Sequence, residues 1–292
     1  MYNGHRKYAL FIGRWQPFHN GHKYLIDDAL LKGKDVCIAI RDTEISEKNT
    51  YTIKQRIEMI KRVYHDKVKI IVIPDIKSIN IGRNVGYDVN RIDPPLEIGK
   101  ISGTNVRAGK DNNIPQEVAQ YIKLLCTTLW LTGLPCSGKT TLSKRLNEEL
   151  NNRGFKAVHL DADDIRSKLN IDLGFSPEDR KENLRRVAHV AKLFNKNGNF
   201  VIASFVSPIN EVREMARNII GNFNLVFIKC SLSICERRDV KGMYKKARAD
   251  EIEEFTGISA PFEEPLDADI VVDTERDDIE TCVRKILNML GV

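Results

Sequence analysis

The sequence lacks several features that would assign it to a particular class at once. No apolar run approaches the length that spans a membrane, and the apolar run near the N-terminus, KYALFIG, is too short for a signal peptide. The six cysteines form no CxxC pair, and a chain of 292 residues needs no disulfide framework to hold a core together. We therefore expect a cytoplasmic protein with reduced thiols and no membrane partner.

Concentrated positive charge is also missing. No basic tail or arginine-rich arm is present, and the aromatic residues are not interleaved with a basic stripe, which argues against a nucleic-acid partner. The net charge of +6 fits either an ordinary, slightly basic protein or one that binds an anionic substrate such as a nucleotide. With 42% hydrophobic and 29% charged residues the chain can bury a normal core, and its length favours two domains.

Strand-like apolar runs alternate with helical patterns along the whole chain, which predicts an α/β fold with parallel sheets. In the first part, strands are predicted at 7–13, 35–42 and 67–75, and helices at 22–33 and 52–64. In the second part, strands are predicted at 127–133, 156–161, 200–206, 224–231 and 269–274. Apolar residues from Leu184 to Phe194 recur at helical spacing, and Gly198 is the expected C-cap of that helix.

The stretch from Asn80 to Asn113 interrupts this alternation. It is rich in Gly, Asn, Asp and Pro, and it predicts loops with short elements. A helix, QEVAQYIKLL, then leads to a new strand at 127–133. We therefore expect a Rossmann-like N-terminal domain over 1–115, a linker helix over 116–126 and a second domain over 127–292.

A glycine-rich loop, GLPCSGKTT, follows the strand at 127–133 and precedes a helix, and it fits the pattern GxxxxGK[ST]. Its glycines let backbone N–H groups point at phosphate oxygens, and the helix N-terminus adds partial positive charge. Lys139 is expected to reach the β- and γ-phosphates of ATP, and the Thr140 hydroxyl to ligate Mg²⁺, the one cofactor expected. The expected ATP-binding residues are Gly133, Ser137, Gly138, Lys139, Thr140 and Thr141.

Acidic residues follow the next strand, in the stretch DADDIR, at the sheet edge where ligands bind in open α/β folds. One of Asp161, Asp163 and Asp164 is expected to cap a helix, because aspartate favours that position. The other two can position Mg²⁺ or accept a proton from an attacking hydroxyl. Nearby polar residues form either a solvated face or a site for an anionic acceptor, and they are Arg166, Arg180, Asn183, Arg185 and Arg186.

The stretch LDADDIRSKLNIDLGFSPEDRKENLRRVAHVAKLFNKNG resembles adenylylsulfate kinase, which phosphorylates the 3′-hydroxyl of adenosine 5′-phosphosulfate. The resemblance continues through SFVSPINEVREMAR, CERRDVKGMYKKARADEIEEFTGISAPFEEP and DIVVDT, so it covers 127–292. It implies that Lys139 and Asp163 are catalytic and that the substrates are ATP and adenylylsulfate. Relatives of this kinase are commonly dimers, which makes a homodimer a candidate assembly, although the sequence does not give the oligomeric state. The residues implied to bind adenylylsulfate are Asp161, Arg166, Phe175, Arg180, Asn183, Ser207, Lys241 and Phe255.

Two details qualify that resemblance. The family usually has Asp-Gly-Asp where this sequence has Ala162 between its two aspartates, and alanine is tolerated there if its φ is negative. Ser207 matches a serine once proposed as a phosphoenzyme position. Phosphoryl transfer needs positioning and charge stabilisation rather than a covalent step, so we interpret Ser207 as a substrate-site residue.

Two histidines lie three residues apart in the first part of the chain, in FIGRWQPFHNGH. A zinc site would need two or more further ligands at compact spacing, and only Cys37 and His65 are candidates. His19 and His22 are therefore either structural or part of a nucleotide site. The strand, glycine-bearing turn and helix start around them fit a nucleotide site, where imidazoles donate hydrogen bonds to an α-phosphate as pyrophosphate leaves.

The stretch GRWQPFHNGH resembles the HxGH signature of the nucleotidylyltransferase superfamily, most closely its nicotinamide-mononucleotide adenylyltransferase branch. EKNTYTIKQRIEMI and ISGTNVRAG are also similar to segments of that superfamily, and the likeness spans 7–110. It implies that His19, His22 and Arg107 are catalytic. The residues implied to bind the nucleotide are Gly13, Arg14, Gly21, Ser102, Thr104 and Arg107.

The acceptor of that first domain stays open. The Arg-Thr-Glu-Gly-Ile-Ser motif of cytidylyltransferases is absent. A compact domain resembling ATP sulfurylase would supply the substrate of the second domain, and a nucleotide-sensing module without catalysis is a third interpretation. We therefore expect a bifunctional enzyme, with adenylylsulfate kinase at its C-terminus and nucleotidyl transfer at its N-terminus. Another small-molecule P-loop kinase is the alternative for the C-terminal domain.

Overall fold

Short apolar strands alternate with amphipathic helices throughout the computed structural model, which describes residues 7–80, 88–90 and 92–292. The chain divides into two units, Met1–Ile122 and Lys123–Val292. The division falls inside the helix that the sequence predicts as a linker. Part of the predicted loop segment between Asn80 and Asn113 lies outside the described residues.

The N-terminal unit contains a parallel sheet of three strands in the order β1-β2-β3. Its elements are β1 (Tyr8–Gly13), α1 (Asn20–Leu31), β2 (Asp35–Asp42), α2 (Ile53–Tyr64), β3 (Val68–Pro74), α3 (Leu96–Gly99), α4 (Gly103–Arg107) and α5 (Gln116–Leu125). The middle strand, β2, buries five consecutive residues, 36–40, because it is covered on both faces. The helix predicted to begin at residue 22 begins at Asn20, since His19 takes the N-cap position.

Helix α2 shows how the local sequence sets one of these boundaries. Thr52 is its N-cap and accepts a hydrogen bond from the backbone N–H of Gln55 at 3.3 Å. The Gln55 side chain accepts in return from the Thr52 N–H at 2.9 Å, which completes a capping box. Met59 and Ile60 then face the sheet and are fully buried. The capping box fixes where the chain enters the helix, directly after the loop that carries Lys48.

The C-terminal unit contains five parallel strands in the order β5-β6-β4-β7-β8. Its strands are β4 (Thr128–Thr132), β5 (Ala157–Asp161), β6 (Phe200–Ser204), β7 (Phe223–Lys229) and β8 (Ile270–Asp273). Its helices are α6 (Lys139–Asn152), α7 (Ala162–Asp164), α8 (Pro177–Lys196), α9 (Asn210–Ile220), α10 (Leu232–Arg237), α11 (Met243–Arg248) and α12 (Ile279–Leu290). The prediction of an α/β chain with parallel sheets in two parts is confirmed.

Helix α8 packs its predicted apolar stripe against this sheet. Val187, Ala188 and Ala191 are fully buried in a core that also contains Trp130 from the central strand. Gly198 follows the helix with φ +76°, so it makes the left-handed turn that ends it, although the C-cap itself is Asn197. Because β4 lies in the middle of the sheet, the loop that follows it is flanked by the ends of β6 and β7. Among the residues described, no helix is long and apolar enough to cross a membrane.

Candidate active sites

The loop after β4 has the backbone shape of a phosphate-binding loop. Gly133 has φ +155°, and a Cβ there would lie 2.6 Å from the Ile228 carbonyl oxygen, so no larger residue fits. Cys136 and Gly138 have φ of +61° and +96°, and Gly138 is the N-cap of α6. The chain therefore wraps tightly in front of a helix N-terminus, which is the arrangement that binds phosphate.

Lys139 lies at the centre of this loop. Its Nζ donates to the carbonyl oxygens of Gly133 at 2.9 Å and Leu134 at 2.7 Å. Its side chain is 9% exposed, and burial lowers the pKa of the ammonium to about 8. The loop's own carbonyls thus hold the cation beside the place where phosphates would bind.

Thr140 and Asp161 face each other across the mouth of the loop. The Thr140 Oγ1 donates to Asp161 Oδ2 at 3.0 Å, and Ser204 Oγ donates to the same oxygen at 3.2 Å. Asp161 is also the N-cap of α7, where its Oδ1 accepts from the Asp163 N–H at 3.0 Å. The expectation that one aspartate caps a helix therefore describes Asp161, which also faces the cavity.

Asp163 points away from that cap and pairs with Lys241. The Lys241 Nζ lies 2.5 Å from Asp163 Oδ2, and both side chains are mostly exposed. Lys241 belongs to the segment between α10 and α11. The ion pair joins this segment to the end of β5 across the cavity.

A cavity of about 900 Å³ contains most of these groups. The phosphate loop and α6 form one wall, the ends of β5 and β6 a second, and the segment from Arg238 to Met243 a third. Of the predicted ATP-binding residues, those that line the cavity are Gly138, Lys139, Thr140 and Thr141. Gly133 and Ser137 belong to the loop but do not line the cavity. The side chain of Ser137 is fully buried.

Among the residues predicted to bind adenylylsulfate, Asp161 and Lys241 line the cavity, whereas hydrogen bonds connect the segments that carry the following four: Arg166, Phe175, Arg180 and Phe255. The Arg166 guanidinium lies over the ring of Phe175, 4.6 Å from its centroid, and donates to Gly174 O at 2.8 Å. Arg180 donates to Phe175 O at 2.7 Å and to Glu254 O at 2.8 Å. Since Glu254 precedes Phe255, Arg180 ties together the two segments that carry the predicted adenine-flanking phenylalanines.

Phe175 and Phe255 differ in their surroundings. Phe175 is 66% exposed, whereas Phe255 packs edge-on against Tyr244 with ring centroids 4.9 Å apart. An exposed ring of this size next to two arginines offers a stacking surface for a base.

Two further predicted residues are buried. Asn183 Oδ1 accepts from Asn170 Nδ2 at 2.9 Å, and Ser207 Oγ accepts from the Trp130 Nε1 at 3.0 Å. Ser207 has φ +35° and is 2% exposed, and it is not among the residues lining the cavity. Its hydroxyl supports the Trp130 ring in this structure.

The arginine run separates into two sets. Arg186 makes a bidentate pair with Asp172 and also bonds Glu182, which in turn pairs with Arg185. These two arginines belong to the solvated face, whereas Arg166 and Arg180 donate to backbone carbonyls of the segments that carry Phe175 and Phe255.

Thr274 and Arg238 are among the cavity residues that the sequence did not single out. Thr274 follows β8, donates to Ser137 O at 2.8 Å and accepts from Arg238 Nη1 at 3.3 Å. A polar residue at the carboxyl end of a parallel strand is a signal for Thr274. Arg238 lies in a run of charges, CERRDVK, in which no pattern distinguishes it from its neighbours.

The second site lies at the end of β1. His19 and His22 stack with ring centroids 3.6 Å apart, and a Cβ on Gly21 would lie 3.0 Å from the His19 ring. His22 Nδ1 accepts from the His19 N–H at 3.3 Å, so the ring proton of neutral His22 is on Nε2. His19 Nδ1 is buried and has no hydrogen-bond partner among the residues described.

Both imidazoles are neutral at physiological pH. Burial lowers the pKa of His19 to about 4, and burial together with the neighbouring His19 lowers the pKa of His22 to about 3. A neutral imidazole still donates one hydrogen bond, so the pair can bind a phosphate oxygen without carrying charge.

We expect the N-terminal unit to lose stability as the pH falls from 6.5 to 5. The unfolded histidines protonate near 6.5 and the folded ones at about 4 and 3, so the unfolded chain binds more protons throughout this range. The free energy of unfolding should fall by roughly 2 kcal/mol per histidine. Urea unfolding followed by Trp15 fluorescence in a Trp130→Phe background measures it. A His19→Gln/His22→Gln chain should show a flatter profile, and an equal slope would contradict the assignment.

The second predicted motif, ISGTNVRAG, contributes residues to the same cavity as these histidines. Arg107 Nη1 donates to Gln16 O, and its Nη2 donates to Thr104 Oγ1 at 3.2 Å. Ser102 is the N-cap of α4, and its Oγ accepts a hydrogen bond from the Asn105 N–H at 3.1 Å. A cavity of about 170 Å³ is lined by Arg14, Trp15, Gln16, His19, His22, Lys48, Gly103, Thr104 and Arg107. Three cations and no described carboxylate line it, which suits a polyphosphate.

Lys48 is the charged residue of this site that the sequence did not single out. It stands among charged residues in a loop, and its place depends on contacts far away in the chain. Gln16 Nε2 donates to Tyr51 O at 3.0 Å, and Gln16 Oε1 accepts from the Tyr51 N–H at 2.9 Å. This pair brings the loop of Lys48 to the end of β1.

Arg56 anchors the carboxyl ends of β1 and β2 from inside the unit. It is fully buried, and its Nη1 donates to Arg14 O at 2.9 Å and Arg41 O at 2.8 Å. Arg56→Leu should lower the free energy of unfolding of this unit by about 2–4 kcal/mol, because two part-buried carbonyls lose their charged donor. Urea unfolding with Trp15 fluorescence measures this. Lys61→Leu, an exposed change on the same helix, should cost less than about 0.5 kcal/mol, and equal effects would contradict the anchoring role.

The residues at the phosphate loop fit Mg²⁺ bound with a nucleotide. Mg²⁺ takes one or two protein oxygens together with phosphate oxygens and water. The Thr140 hydroxyl and the Asp161 carboxylate, 3.0 Å apart, supply such a pair. Within the described ranges, no group of three or more His, Cys, Asp or Glu side chains could hold a metal by itself.

Two protein families match this chain, one over each part of the sequence. The adenylylsulphate kinase family matches residues 125–273, and the cytidylyltransferase-like family matches residues 10–162. The second match continues past Ile122 into the strand and phosphate loop of the C-terminal unit. We therefore place its functional part in the N-terminal unit, where the histidine site lies.

Individual relatives cover the C-terminal unit. The probable adenylyl-sulfate kinase of Bacillus subtilis is 48% identical over 177 residues, 60% of this chain and 90% of that protein. The adenylyl-sulfate kinase of Bacteroides thetaiotaomicron is 51% identical over 164 residues, 56% of this chain and 82% of that protein. The solved APS kinase of Mycobacterium tuberculosis, in complex with AMPPNP and APS, is 40% identical with a TM-score of 0.55, over 57% of this chain and 98% of that chain. The chain therefore belongs to the adenylylsulfate kinase family through its C-terminal unit and to the cytidylyltransferase-like family through its N-terminal part.

Proposed function

We propose that the C-terminal unit transfers the γ-phosphoryl group of MgATP to the 3′-hydroxyl of adenylylsulfate, giving 3′-phosphoadenylylsulfate and ADP. The observation that carries the proposal is the arrangement around one cavity of Lys139, the Thr140–Asp161 pair and the Asp163–Lys241 pair. The names of the relatives support the choice of acceptor.

The phosphate loop provides the donor half of the site. Its N–H groups and the N-terminus of α6 bind the phosphates, and Lys139 exchanges its carbonyl partners for phosphate oxygens. Thr140 and Asp161 would hold Mg²⁺, which supplies neutralisation of the charge that develops on the phosphates. Arg238, fixed to Thr274 O at 2.7 Å, adds a second cation at the cavity wall.

Asp163 provides the acceptor half. A bond forms between the 3′-oxygen and the γ-phosphorus, the bond from that phosphorus to the β,γ-bridging oxygen breaks, and the hydroxyl proton passes to the Asp163 carboxylate. As the acceptor enters, Lys241 leaves Asp163 and its ammonium stabilises the transferring phosphoryl group. Arg166, Arg180 and the exposed Phe175 ring bind the phosphosulfate and the adenine.

Initial rates with different acceptors test this proposal. With MgATP, adenylylsulfate should be phosphorylated, whereas 3′-deoxyadenylylsulfate should give no product because it lacks the attacked oxygen. Phosphorylation of simple alcohols or sugars with adenylylsulfate untouched would identify another small-molecule kinase and overturn the proposal.

We further propose that the N-terminal unit transfers a nucleotidyl group from a nucleoside triphosphate and releases pyrophosphate. The stacked neutral pair His19–His22 supports this, together with Arg14, Lys48 and Arg107 around the same small cavity. The histidines bind the α-phosphate, and the cations bind the β- and γ-phosphates as they leave.

The acceptor of this second reaction is tested with a panel. The Lys139→Ala chain, in which the kinase cannot consume products or ATP, is supplied with ATP or CTP and with nicotinamide mononucleotide, sulfate or phosphorylated alcohols. Pyrophosphate release with a nucleotide-like acceptor supports adenylyl transfer, and release with sulfate identifies a compact sulfurylase-like activity. Nucleotide binding without turnover on any acceptor would make the unit a sensing module.

A further inference from the structure

A buried hydrogen-bonded chain lies behind the Asp161 carboxylate. In the β5–β6 register Asp161 pairs with Ser204, and His159 stands two residues earlier on β5, on the same face of the sheet. His159 Nε2 lies 2.8 Å from Ser204 Oγ, which lies 3.2 Å from Asp161 Oδ2. Ser204 is 2% exposed, and the side chains of His159 and Asp161 are 13% and 14% exposed.

The single hydroxyl proton of Ser204 sets the direction of this chain. The Asp161 carboxylate can only accept, so Ser204 donates to it. Ser204 must then accept from His159, which places the ring proton of His159 on Nε2. Three groups thus align as donor, relay and acceptor, with no alternative partner for Ser204 Oγ among the described residues.

This chain of hydrogen bonds fixes the orientation of the Asp161 carboxylate. Its Oδ2 receives hydrogen bonds from Thr140 and Ser204, and its Oδ1 receives one from the Asp163 N–H. Because Thr140 donates its only hydroxyl proton to Asp161, the remaining lone pairs of its oxygen stay available to a cation bound with the nucleotide. The orientation of Asp161 therefore decides whether both oxygen ligands are presented together.

We propose that His159 and Ser204 are positioning residues that fix Asp161, and through it Thr140, for the binding of Mg²⁺ with the nucleotide. This role rests on the proposed phosphoryl transfer at the same site. Groups that orient metal ligands typically contribute about 10- to 100-fold to metal affinity. The sequence pattern does not distinguish either residue from its neighbours. His159, for example, occupies one of the alternating positions of a strand.

Calorimetric titration of the whole chain with ADP, performed once in the presence of EDTA and once in the presence of Mg²⁺, tests the proposal without relying on turnover. Ser204→Ala and His159→Leu should each reduce the Mg²⁺-dependent gain in ADP affinity by about 10-fold, with little change in ADP affinity under EDTA. His159→Gln keeps an N–H donor and should restore most of the gain. Asp161→Asn removes the carboxylate itself and shows the largest loss of the Mg²⁺-dependent gain that can be expected. His189→Leu, at an exposed histidine on α8, serves as the matched control.

The outcomes separate the two proposals. A wild-type chain that binds ADP equally with and without Mg²⁺ would overturn the proposed function and the positioning role with it. A wild-type gain that survives within twofold in both Ser204→Ala and His159→Leu would overturn the positioning role alone. So would an equal loss of ADP affinity with and without Mg²⁺, because that indicates damage to the loop. Ser204→Ala decides the question if His159→Leu does not fold, since it removes one oxygen atom from a packed strand.

Discussion

Replacing Lys139 by alanine should lower kcat for 3′-phosphoryl transfer by about 100- to 1,000-fold, the usual cost of removing one preorganised donor from a transition state. The side chain is buried in the phosphate loop, within 2.9 Å of two carbonyl oxygens that a phosphate would replace as partners. No other described lysine lies inside this loop, and the cavity's other cations, Arg238 and Lys241, belong to another wall. Product formation from MgATP and adenylylsulfate measures the effect.

The control for this change lies on the same helix. Lys144 is exposed on α6 and does not line the cavity, so Lys144→Ala should leave the rate within about twofold of the wild-type value. Pyrophosphate release at the histidine site should be unaffected by Lys139→Ala. A Lys139→Ala chain that retains more than a tenth of the kinase rate would show that the loop is not the phosphate site.

The double change His19→Ala/His22→Ala should lower the rate of pyrophosphate release by at least about 100- to 1,000-fold, because both donors to the α-phosphate disappear. The two rings stack at 3.6 Å and line the small cavity with Arg107. Since their pKa values are about 4 and 3, the wild-type rate should show no histidine titration between pH 5.5 and 8. Initial rates of pyrophosphate release across this range measure both effects.

His65 provides the matched control, because it is exposed at the end of α2 and does not line the cavity. His65→Ala should therefore leave pyrophosphate release within about twofold of wild type. The kinase rate should also be unchanged in the double variant. Pyrophosphate release that survives the loss of both His19 and His22 would exclude them from the reaction.

The elements that were predictable from the sequence are those with a strong local signal. The strands at 35–42 and 200–204 contain the continuous apolar runs 36–40 and 200–203, and the phosphate loop carries a motif whose glycines are required by its backbone. The predicted stripe of α8 is buried as its spacing indicates. In each case the signal lies within about twenty residues, and local rules act over that range.

The parts that escaped prediction depend on long-range contacts. Lys48 reaches the histidine site because Gln16 binds Tyr51, 35 residues away. Arg238 reaches the cavity through Thr274, 36 residues away. The local sequence around a charged loop residue does not indicate such a distant partner. Its role can therefore be recognised only in the tertiary structure.

The arginines after β5 show the same limit in a different form. The sequence groups Arg166, Arg180, Arg185 and Arg186 and leaves open whether they form a solvated face or an anion site. In the structure Arg185 and Arg186 pair with Glu182 and Asp172, whereas Arg166 and Arg180 donate to the backbone carbonyls of Gly174 and Glu254. Position around the helix and the location of the partner acids separate the two sets, and composition does not.

The most direct test of this account incubates the whole chain with MgATP and adenylylsulfate and identifies the products by mass and by the position of the new phosphate. The account predicts one equivalent of ADP for each 3′-phosphoadenylylsulfate formed. ATP hydrolysis without a phosphorylated nucleotide, or a phosphate at any position other than the 3′-oxygen, would contradict it.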